Sequence, residues 1–128
     1  MARSCVESLG NKKRAAYTPD MSTLIVIKRT QLGEGDPALG QKVLGTFLRK
    51  AIAIDELTTI AFFNSGVQLT TAESPVLAEL TMLEERGVDI LPCGTCAEHY
   101  GITPAVGKIS NMDDIIMEMN RATKIIDL

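Results

Sequence analysis

Tryptophan is absent from this 128-residue sequence, and aromatic residues make up only 4% of it. The interior must therefore be built from aliphatic side chains and methionine, and a hydrophobic fraction of 45% supplies enough of them for one domain. No apolar run approaches the roughly 20 residues that a membrane helix needs. A net charge of −3 is too small to indicate binding to nucleic acid or to an anionic membrane. We expect a single cytoplasmic domain with neither partner.

Residues 1–20 lack the unbroken apolar stretch of roughly 7–15 residues that a secretory signal needs. Basic and small polar residues fill this segment, and branched apolar side chains are scarce in it. Met21 stands directly before the first strand-like run, so translation from this second methionine is the simplest explanation. We therefore expect residues 1–20 to be a flexible extension, not necessarily native, and residues 21–128 to form the domain.

Strand-like and helix-like segments alternate from residue 22 onward. Three apolar runs have the length and composition of buried strands: 23–27, 58–63 and 88–91. Two shorter strands are predicted at 106–109 and 124–126. Helix starts are predicted at four residues: Asp36, Ser74, Cys96 and Ser110. Gly87 and Gly101 are predicted to end the second and third helices. The alternation predicts an α/β fold, a mainly parallel sheet with helices on both faces.

The loops that follow the predicted strands are the expected place for a ligand. In open parallel sheets, ligands bind beyond the carboxyl ends of the strands. Three loops leave those ends, at residues 29–36, 64–71 and 92–96. The last of them contains Cys93 and Cys96, so both thiols are predicted to lie where this architecture places chemistry. We take these two cysteines as the candidate catalytic residues.

A C-x-x-C segment in an intracellular protein serves dithiol redox chemistry, metal binding or sulfur transfer. Two sulfurs at this spacing can approach bonding distance, and backbone amides at a helix start favour a thiolate. Gly94 permits close approach to a group bound at the first sulfur. The amides of Thr95 and Cys96 are candidates to hold an anion or a persulfide sulfur. Cysteine is also a common core residue, and that interpretation stays open.

Other polar residues near the strand ends are candidate ligand contacts. His99 follows the second cysteine by three residues, where a protonated imidazole would stabilise a thiolate. Arg29 would reach an anionic ligand, and the turn residues Asn64, Ser65 and Gly66 would donate hydrogen bonds to it. Each of these residues also has an interpretation without a ligand. His99 and Arg29 would be exposed side chains, and residues 64–66 would be present for the geometry of the turn.

Metal binding is not favoured by the ligand count. A structural zinc site needs four ligands, and this loop offers only Cys93, Cys96 and His99. Cys5, the remaining cysteine, lies in the extension, and a second C-x-x-C is missing from the sequence. We expect neither a metal nor a cofactor.

Four segments also carry a family resemblance: GEGD at 33–36, FNSGV at 63–67, GVDILPCGTC at 87–96 and SNM at 110–112. In order and spacing they resemble the DsrE/DsrF-like family, over residues 21–128. The match is strongest to the C-terminal DsrE-like domain of the YedF-like proteins, which are sulfurtransferase-like and associated with selenium metabolism. The resemblance implies a three-layer α/β sandwich that assembles as a homo-oligomer, a dimer, trimer or hexamer.

The resemblance further implies a cysteine that carries sulfur or selenium as a persulfide between proteins. In the family the carrier follows the third strand and precedes a glycine by eight residues, as Cys93 precedes Gly101. Cys96 would then resolve or receive the sulfur. The implied partners are sulfur-donor and acceptor proteins, among them a TusA-like protein. YedF-like proteins carry a TusA-like domain with a Cys-Pro motif, and residues 1–20 contain neither.

Two other functions stay open at this point. One is a dithiol–disulfide oxidoreductase that uses the same cysteine pair without sulfur transfer. The other is a non-catalytic oligomeric binding module, in which the cysteines are incidental. The sequence therefore leaves open whether the protein is an enzyme.

Overall fold

A four-stranded sheet organises the part of the chain that the computed structural model describes, residues 21–128. The strands are β1 (Thr23–Ile27), β2 (Leu57–Phe62), β3 (Asp89–Pro92) and β4 (Lys124–Asp127). The helices are α1 (Pro37–Lys50), α2 (Leu77–Glu85), α3 (Gly94–Tyr100) and α4 (Met112–Arg121), with 3-10 segments at Ala51–Ala53 and Asn64–Thr70. The predictions made for residues 1–20 lie outside this described part.

The strand order is β3-β2-β1-β4, and every neighbouring pair is parallel. The chain steps outward from β1 to β2 and β3, and then returns across the sheet to place β4 on the other side of β1. Such connections need long crossovers, and the helices supply them. The predicted α/β class with a mainly parallel sheet is confirmed.

Both faces of the sheet are covered, which explains the continuous apolar run of β1. Neighbouring residues of a strand point to opposite faces. Ile60 and Phe62 pack with residues of α1 and α2, whereas Ala61, between them, packs with Ile115 of α4. None of the helices in residues 21–128 is long and apolar enough to span a membrane.

Two helices begin at residues other than those predicted. α2 begins at Leu77 rather than just after Ser74, because residues 74–77 form a turn closed by a bond from the Leu77 N–H to the Ser74 carbonyl. α3 begins at Gly94, two residues before the predicted start. The predicted glycine ends are confirmed, since Gly87 and Gly101 have φ of +98° and +63°.

The strand predicted at 106–109 is wrong. Gly107 has φ of +80°, which breaks an extended conformation, and its N–H donates to the Glu84 carboxylate at 2.9 Å. The segment instead follows the free edge of β3. The Lys108 and Ser110 N–H groups donate to the carbonyls of Ile90 and Pro92 at 3.1 and 2.9 Å. It therefore satisfies edge carbonyls of β3 without forming a strand.

Helix α4 is capped by Asn111, not by Ser110 as predicted. The Asn111 Oδ1 accepts a hydrogen bond from the Asp114 N–H at 2.8 Å. Ser110 is held one residue earlier by its backbone bonds to Pro92 and Gly94, both of 2.9 Å. That pairing leaves Asn111 in the position from which a side chain reaches the first turn.

We expect Asn111→Ala to lower the free energy of unfolding by about 1 kcal/mol, the usual loss for an N-cap. Ser110→Ala is the matched control, and its loss should be less than half as large, because the Ser110 backbone bonds survive the substitution. Urea denaturation of both variants measures the difference. Equal losses would contradict Asn111 as the cap.

Candidate functional site

The two cysteines lie at the carboxyl end of β3, as the architecture predicts. Cys93 directly follows the strand, and its N–H donates to the Phe62 carbonyl of β2 at 2.9 Å. It is the N-cap residue of α3, and its carbonyl accepts from the Ala97 N–H at 2.9 Å. Cys96 lies in the first turn of the same helix. Both are free thiols, held in place by the sheet and the helix together.

The environments of the two thiols differ. Cys93 is only 4% exposed and packs with Ala61 and Ile115, whereas Cys96 is partly exposed. Burial raises the pKa of the Cys96 thiol above its ordinary value; the Asn64 N–H lowers it, and the hydrogen bond to Cys93 and the charge of Cys93 raise it again. The net shift in the pKa of Cys96 is upward, so its thiolate is a minor species at neutral pH.

Asn64 connects the loop after β2 to the thiol pair. Its backbone N–H donates to the Cys96 Sγ at 3.0 Å, and its Oδ1 accepts from the Tyr100 hydroxyl at 2.8 Å. Cys96 and Tyr100 are four residues apart on α3, so both face the same loop. Asn64 has φ of +52°, a left-handed conformation that asparagine tolerates better than most residues. The loop thus contributes a directed amide donor to the site.

Gly66 fixes the same loop against the end of β1. The Phe63 N–H donates to the Ile27 carbonyl at 3.0 Å, and the Gly66 N–H donates to the Phe63 carbonyl at 2.9 Å. A Cβ at Gly66 would lie 2.6 Å from the Ile27 oxygen. The close approach therefore requires glycine and gives the turn a structural role. Ser65 is partly exposed in this turn.

Gly94 is also placed by packing. Its N–H donates to the Ser110 carbonyl at 2.9 Å, and a Cβ there would lie 2.9 Å from the same oxygen. The glycine lets the 106–110 segment approach α3. Thr95, the next residue, is exposed on the first turn of the helix.

Two further candidates, Arg29 and His99, make contacts with residues other than the cysteines. The Arg29 Nη1 lies 3.4 Å from the Gly33 carbonyl and 3.6 Å from a Glu34 carboxylate oxygen, so the guanidinium is directed onto its own loop. His99 is exposed, and its ring contacts the edge of the Tyr100 ring, with centroids 4.9 Å apart. The structure brings Asn64 to Cys96 and places Arg29 and His99 in these other contacts.

Tyr100 was not singled out from the sequence. Its one signal is its spacing from Cys96, one helical turn, which places a hydroxyl on the face that carries a thiol. Within residues 21–128, no group of three or more His, Cys, Asp or Glu side chains is arranged to hold a metal ion. The chemistry that these residues can perform is that of a thiol pair with one amide donor.

Comparisons with known proteins agree with this architecture. The structure is similar to that of the YchN protein from E. coli, with a TM-score of 0.64 and 17% identity, covering 84% of this chain and 99% of that one. MTH1491 from Methanobacterium thermoautotrophicum, a protein of unknown function, gives a TM-score of 0.64 and 15% identity, with 85% and 100% covered. BT1422 from Bacteroides thetaiotaomicron gives 0.58 and 16%, with 84% and 95% covered.

These identities are low, so the structural likenesses establish the fold. A search of the curated proteins finds no match. The family model of the DsrE/DsrF-like proteins matches residues 41–128, which is more than half of the sequence and includes both cysteines of the candidate site. The chain belongs to the DsrE/DsrF-like family.

Proposed function

We propose that this protein carries sulfur as a persulfide on Cys93 and passes it to a partner, with Cys96 as the second thiol of the relay. The observation that carries the proposal is the placement of two free thiols at the carboxyl end of β3, with Cys93 as the N-cap residue of α3 and Cys96 in its first turn. A thiolate is the nucleophile in sulfur transfer, and a neighbouring thiol that donates a hydrogen bond stabilises it.

Sulfur enters by attack of the Cys93 thiolate on the outer sulfur of a donor persulfide, R–S–SH. A bond forms between the Cys93 Sγ and that sulfur, the S–S bond of the donor breaks, and the donor leaves as its thiolate, R–S⁻. Cys93 then holds the group –S–SH. No net oxidation takes place, because the sulfane sulfur only changes its carrier.

Sulfur leaves by one of two further attacks. An acceptor thiolate attacks the outer sulfur, takes it as a new persulfide, and restores the Cys93 thiolate. Alternatively, the Cys96 thiolate attacks the Cys93 sulfur, a Cys93–Cys96 disulfide forms, and the outer sulfur leaves as HS⁻. A dithiol reductant must then return two electrons to the disulfide.

The burial of Cys93 and the raised pKa of Cys96 favour Cys93 as the carrier. Cys93 is 4% exposed, so a persulfide there is shielded from water and oxidants. The raised pKa of Cys96 leaves little of its thiolate at neutral pH, which does not favour Cys96 as the first nucleophile. The spacing from Cys93 to Gly101, which the family resemblance singled out, supports the same choice.

The partners follow from this chemistry. We propose donor and acceptor proteins with exchangeable thiols, a TusA-like protein among them, in the cytoplasm and with this chain as a homo-oligomer. In the same proposal, this chain is close to the YedF-like proteins and transfers selenium. A donor that carries selenium as R–S–SeH would react by the same displacement, with the Cys93 thiolate attacking selenium and R–S⁻ leaving.

Intact-mass measurement after incubation with a small persulfide donor tests the carrier. All samples carry Cys5→Ser, so that each adduct arises from Cys93 or Cys96. We expect one added sulfur in this parent protein and in its Cys96→Ser derivative, and none in its Cys93→Ser derivative. Tryptic peptides then locate the adduct.

Three other results would change the assignment. Loading that survives Cys93→Ser and disappears in Cys96→Ser would transfer the carrier role to Cys96. Oxidation with loss of two hydrogens and no sulfur gain would favour a dithiol–disulfide oxidoreductase. A parent protein that neither loads sulfur nor oxidises would favour a binding module with incidental cysteines.

A further inference from the structure

We propose that Tyr100 is a positioning residue of the thiol site, which acts through Asn64 to aim a backbone N–H at the Cys96 sulfur. This inference rests on the proposed sulfur carrier and assigns the residue that prepares its second thiol. Tyr100 touches neither sulfur in this assignment. Its effect on Cys96 passes through the conformation of the loop after β2.

Two hydrogen bonds connect Tyr100 to Cys96 through Asn64. The Tyr100 hydroxyl donates to the Asn64 Oδ1 at 2.8 Å, and the Asn64 N–H donates to the Cys96 Sγ at 3.0 Å. Asn64 is exposed and has φ of +52°. An exposed residue in this conformation is held there by its contacts, because the left-handed region is less favourable than extended or helical backbone. The hydroxyl supplies such a contact from the next turn of α3.

The hydrogen bond that the Asn64 N–H donates to Cys96 acts on the pKa of this thiol in the opposite direction to its other interactions. Burial, the hydrogen bond to Cys93 and the charge of Cys93 raise its pKa, and the Asn64 N–H lowers it. A hydrogen bond donated to sulfur stabilises the thiolate more than the thiol. The link from Tyr100 therefore increases the thiolate fraction of a cysteine that its surroundings keep protonated.

The consequence for sulfur transfer concerns the second step. The Cys96 thiol releases its proton to solvent, its thiolate attacks the Cys93 sulfur of the persulfide, and HS⁻ leaves as the intramolecular disulfide forms. A dithiol reductant supplies the two electrons that reset the pair. Because only the thiolate attacks, the rate of this step follows the Cys96 thiolate fraction, which the Tyr100–Asn64 link raises.

The test measures the reactivity of the Cys96 thiol, which is the only thiol in a protein that carries Cys5→Ser and Cys93→Ser. The rate of alkylation by iodoacetamide is followed against pH, with and without Tyr100→Phe. We expect Tyr100→Phe to move the profile to higher pH and to lower the rate at neutral pH about threefold. Thr71→Val is the matched control. It removes a 2.8 Å hydroxyl bond to the Gln68 carbonyl at the end of the same 3-10 segment, away from the sulfur.

A second variant keeps the test decisive. Asn64→Gly retains the N–H and tolerates the positive φ, but it removes the oxygen that Tyr100 holds. It should shift the profile as Tyr100→Phe does, and the double variant should add nothing further. If Tyr100→Phe lowers the melting temperature and leaves the profile unmoved, its role is structural and the proposal fails. If the shifts from Tyr100→Phe and Asn64→Gly simply add in the double variant, the proposal also fails.

The alkylation profile needs no sulfur donor, so it separates this inference from the proposed function. If the Cys5→Ser parent never loads sulfur but Tyr100→Phe shifts the profile, the carrier is rejected and the positioning role stands. If the parent loads sulfur and the profile does not move, the carrier stands and the Tyr100 assignment is rejected.

Discussion

A Gly66→Ala variant is expected to lose about 3 kcal/mol of its free energy of unfolding, a large value for one added methyl group. The new Cβ would lie 2.6 Å from the Ile27 oxygen, 3.2 Å from the Ile27 carbonyl carbon and 3.3 Å from the Arg29 nitrogen. All three are backbone atoms where β1 ends. β1 is paired on both sides, with β2 and β4, so these atoms cannot move without disturbing the sheet.

Gly45→Ala is the matched control, and the expected sign is opposite. Gly45 lies in the middle of α1, and a Cβ there would meet its nearest neighbours at 3.6 to 3.9 Å, ordinary contact distances. Alanine is more stable than glycine inside a helix by roughly 0.5–1 kcal/mol. Urea denaturation under one set of conditions compares the two variants. A Gly66→Ala protein as stable as the parent would show that the turn can move away from β1.

The Gly66 variant also connects the fold to the site. Gly66 anchors the turn that begins with Asn64, whose N–H reaches Cys96 at 3.0 Å. A displaced turn therefore weakens that bond before the whole domain unfolds. In the protein with Cys96 as its only thiol, we expect the alkylation profile of Gly66→Ala to shift in the same direction as that of Tyr100→Phe.

The fold was predictable because its signals are local and repeated. A strand covered on both faces is apolar at nearly every position, and β1 is buried along its whole length, with Thr23 as its polar residue. The helix start at Asp36-Pro37 is equally local, since the Asp36 carboxylate accepts from the Ala38 N–H at 3.1 Å. Such signals define the alternation of strands and helices without knowledge of the tertiary structure.

The errors arose where tertiary contacts decide between two local options. Ser110 and Asn111 are both good cap residues, and only the pairing of Ser110 with the β3 edge selects Asn111. The strand predicted at 106–109 failed for a similar reason. Val106 and Ile109 suit a strand, but Gly107 packs against Ile90 with a positive φ. A sequence pattern contains no information about such neighbours.

The site was predictable in its location and less so in its contacts. Parallel topology brings the loops after β2 and β3 to one edge, and this rule made both Asn64 and Cys96 candidate site residues. The hydroxyl of Tyr100 reaches across 36 positions to Asn64, which no local pattern specifies. The direction of the Arg29 side chain was not predicted either. It depends on the conformation of its own loop, which brings the guanidinium 3.6 Å from the Glu34 carboxylate.

A Cys96→Ser variant is expected to retain its loaded persulfide and to release sulfide about tenfold more slowly than the protein with both thiols. Serine cannot form the disulfide that expels HS⁻ from Cys93. Both proteins carry Cys5→Ser, are loaded with a small persulfide donor, and are freed of excess donor by gel filtration. A sulfide electrode then follows release, and intact mass follows the persulfide that remains.

The pH dependence of release identifies the attacking group. Because burial raises the pKa of Cys96, its thiolate fraction is small at neutral pH and grows about tenfold per pH unit until the pKa is reached. Sulfide release from the protein with both thiols should rise accordingly as the pH increases. The same profile in Cys96→Ser should lack this rise. Release that is as fast and as pH-dependent without Cys96 would show that a group other than the second cysteine resolves the persulfide.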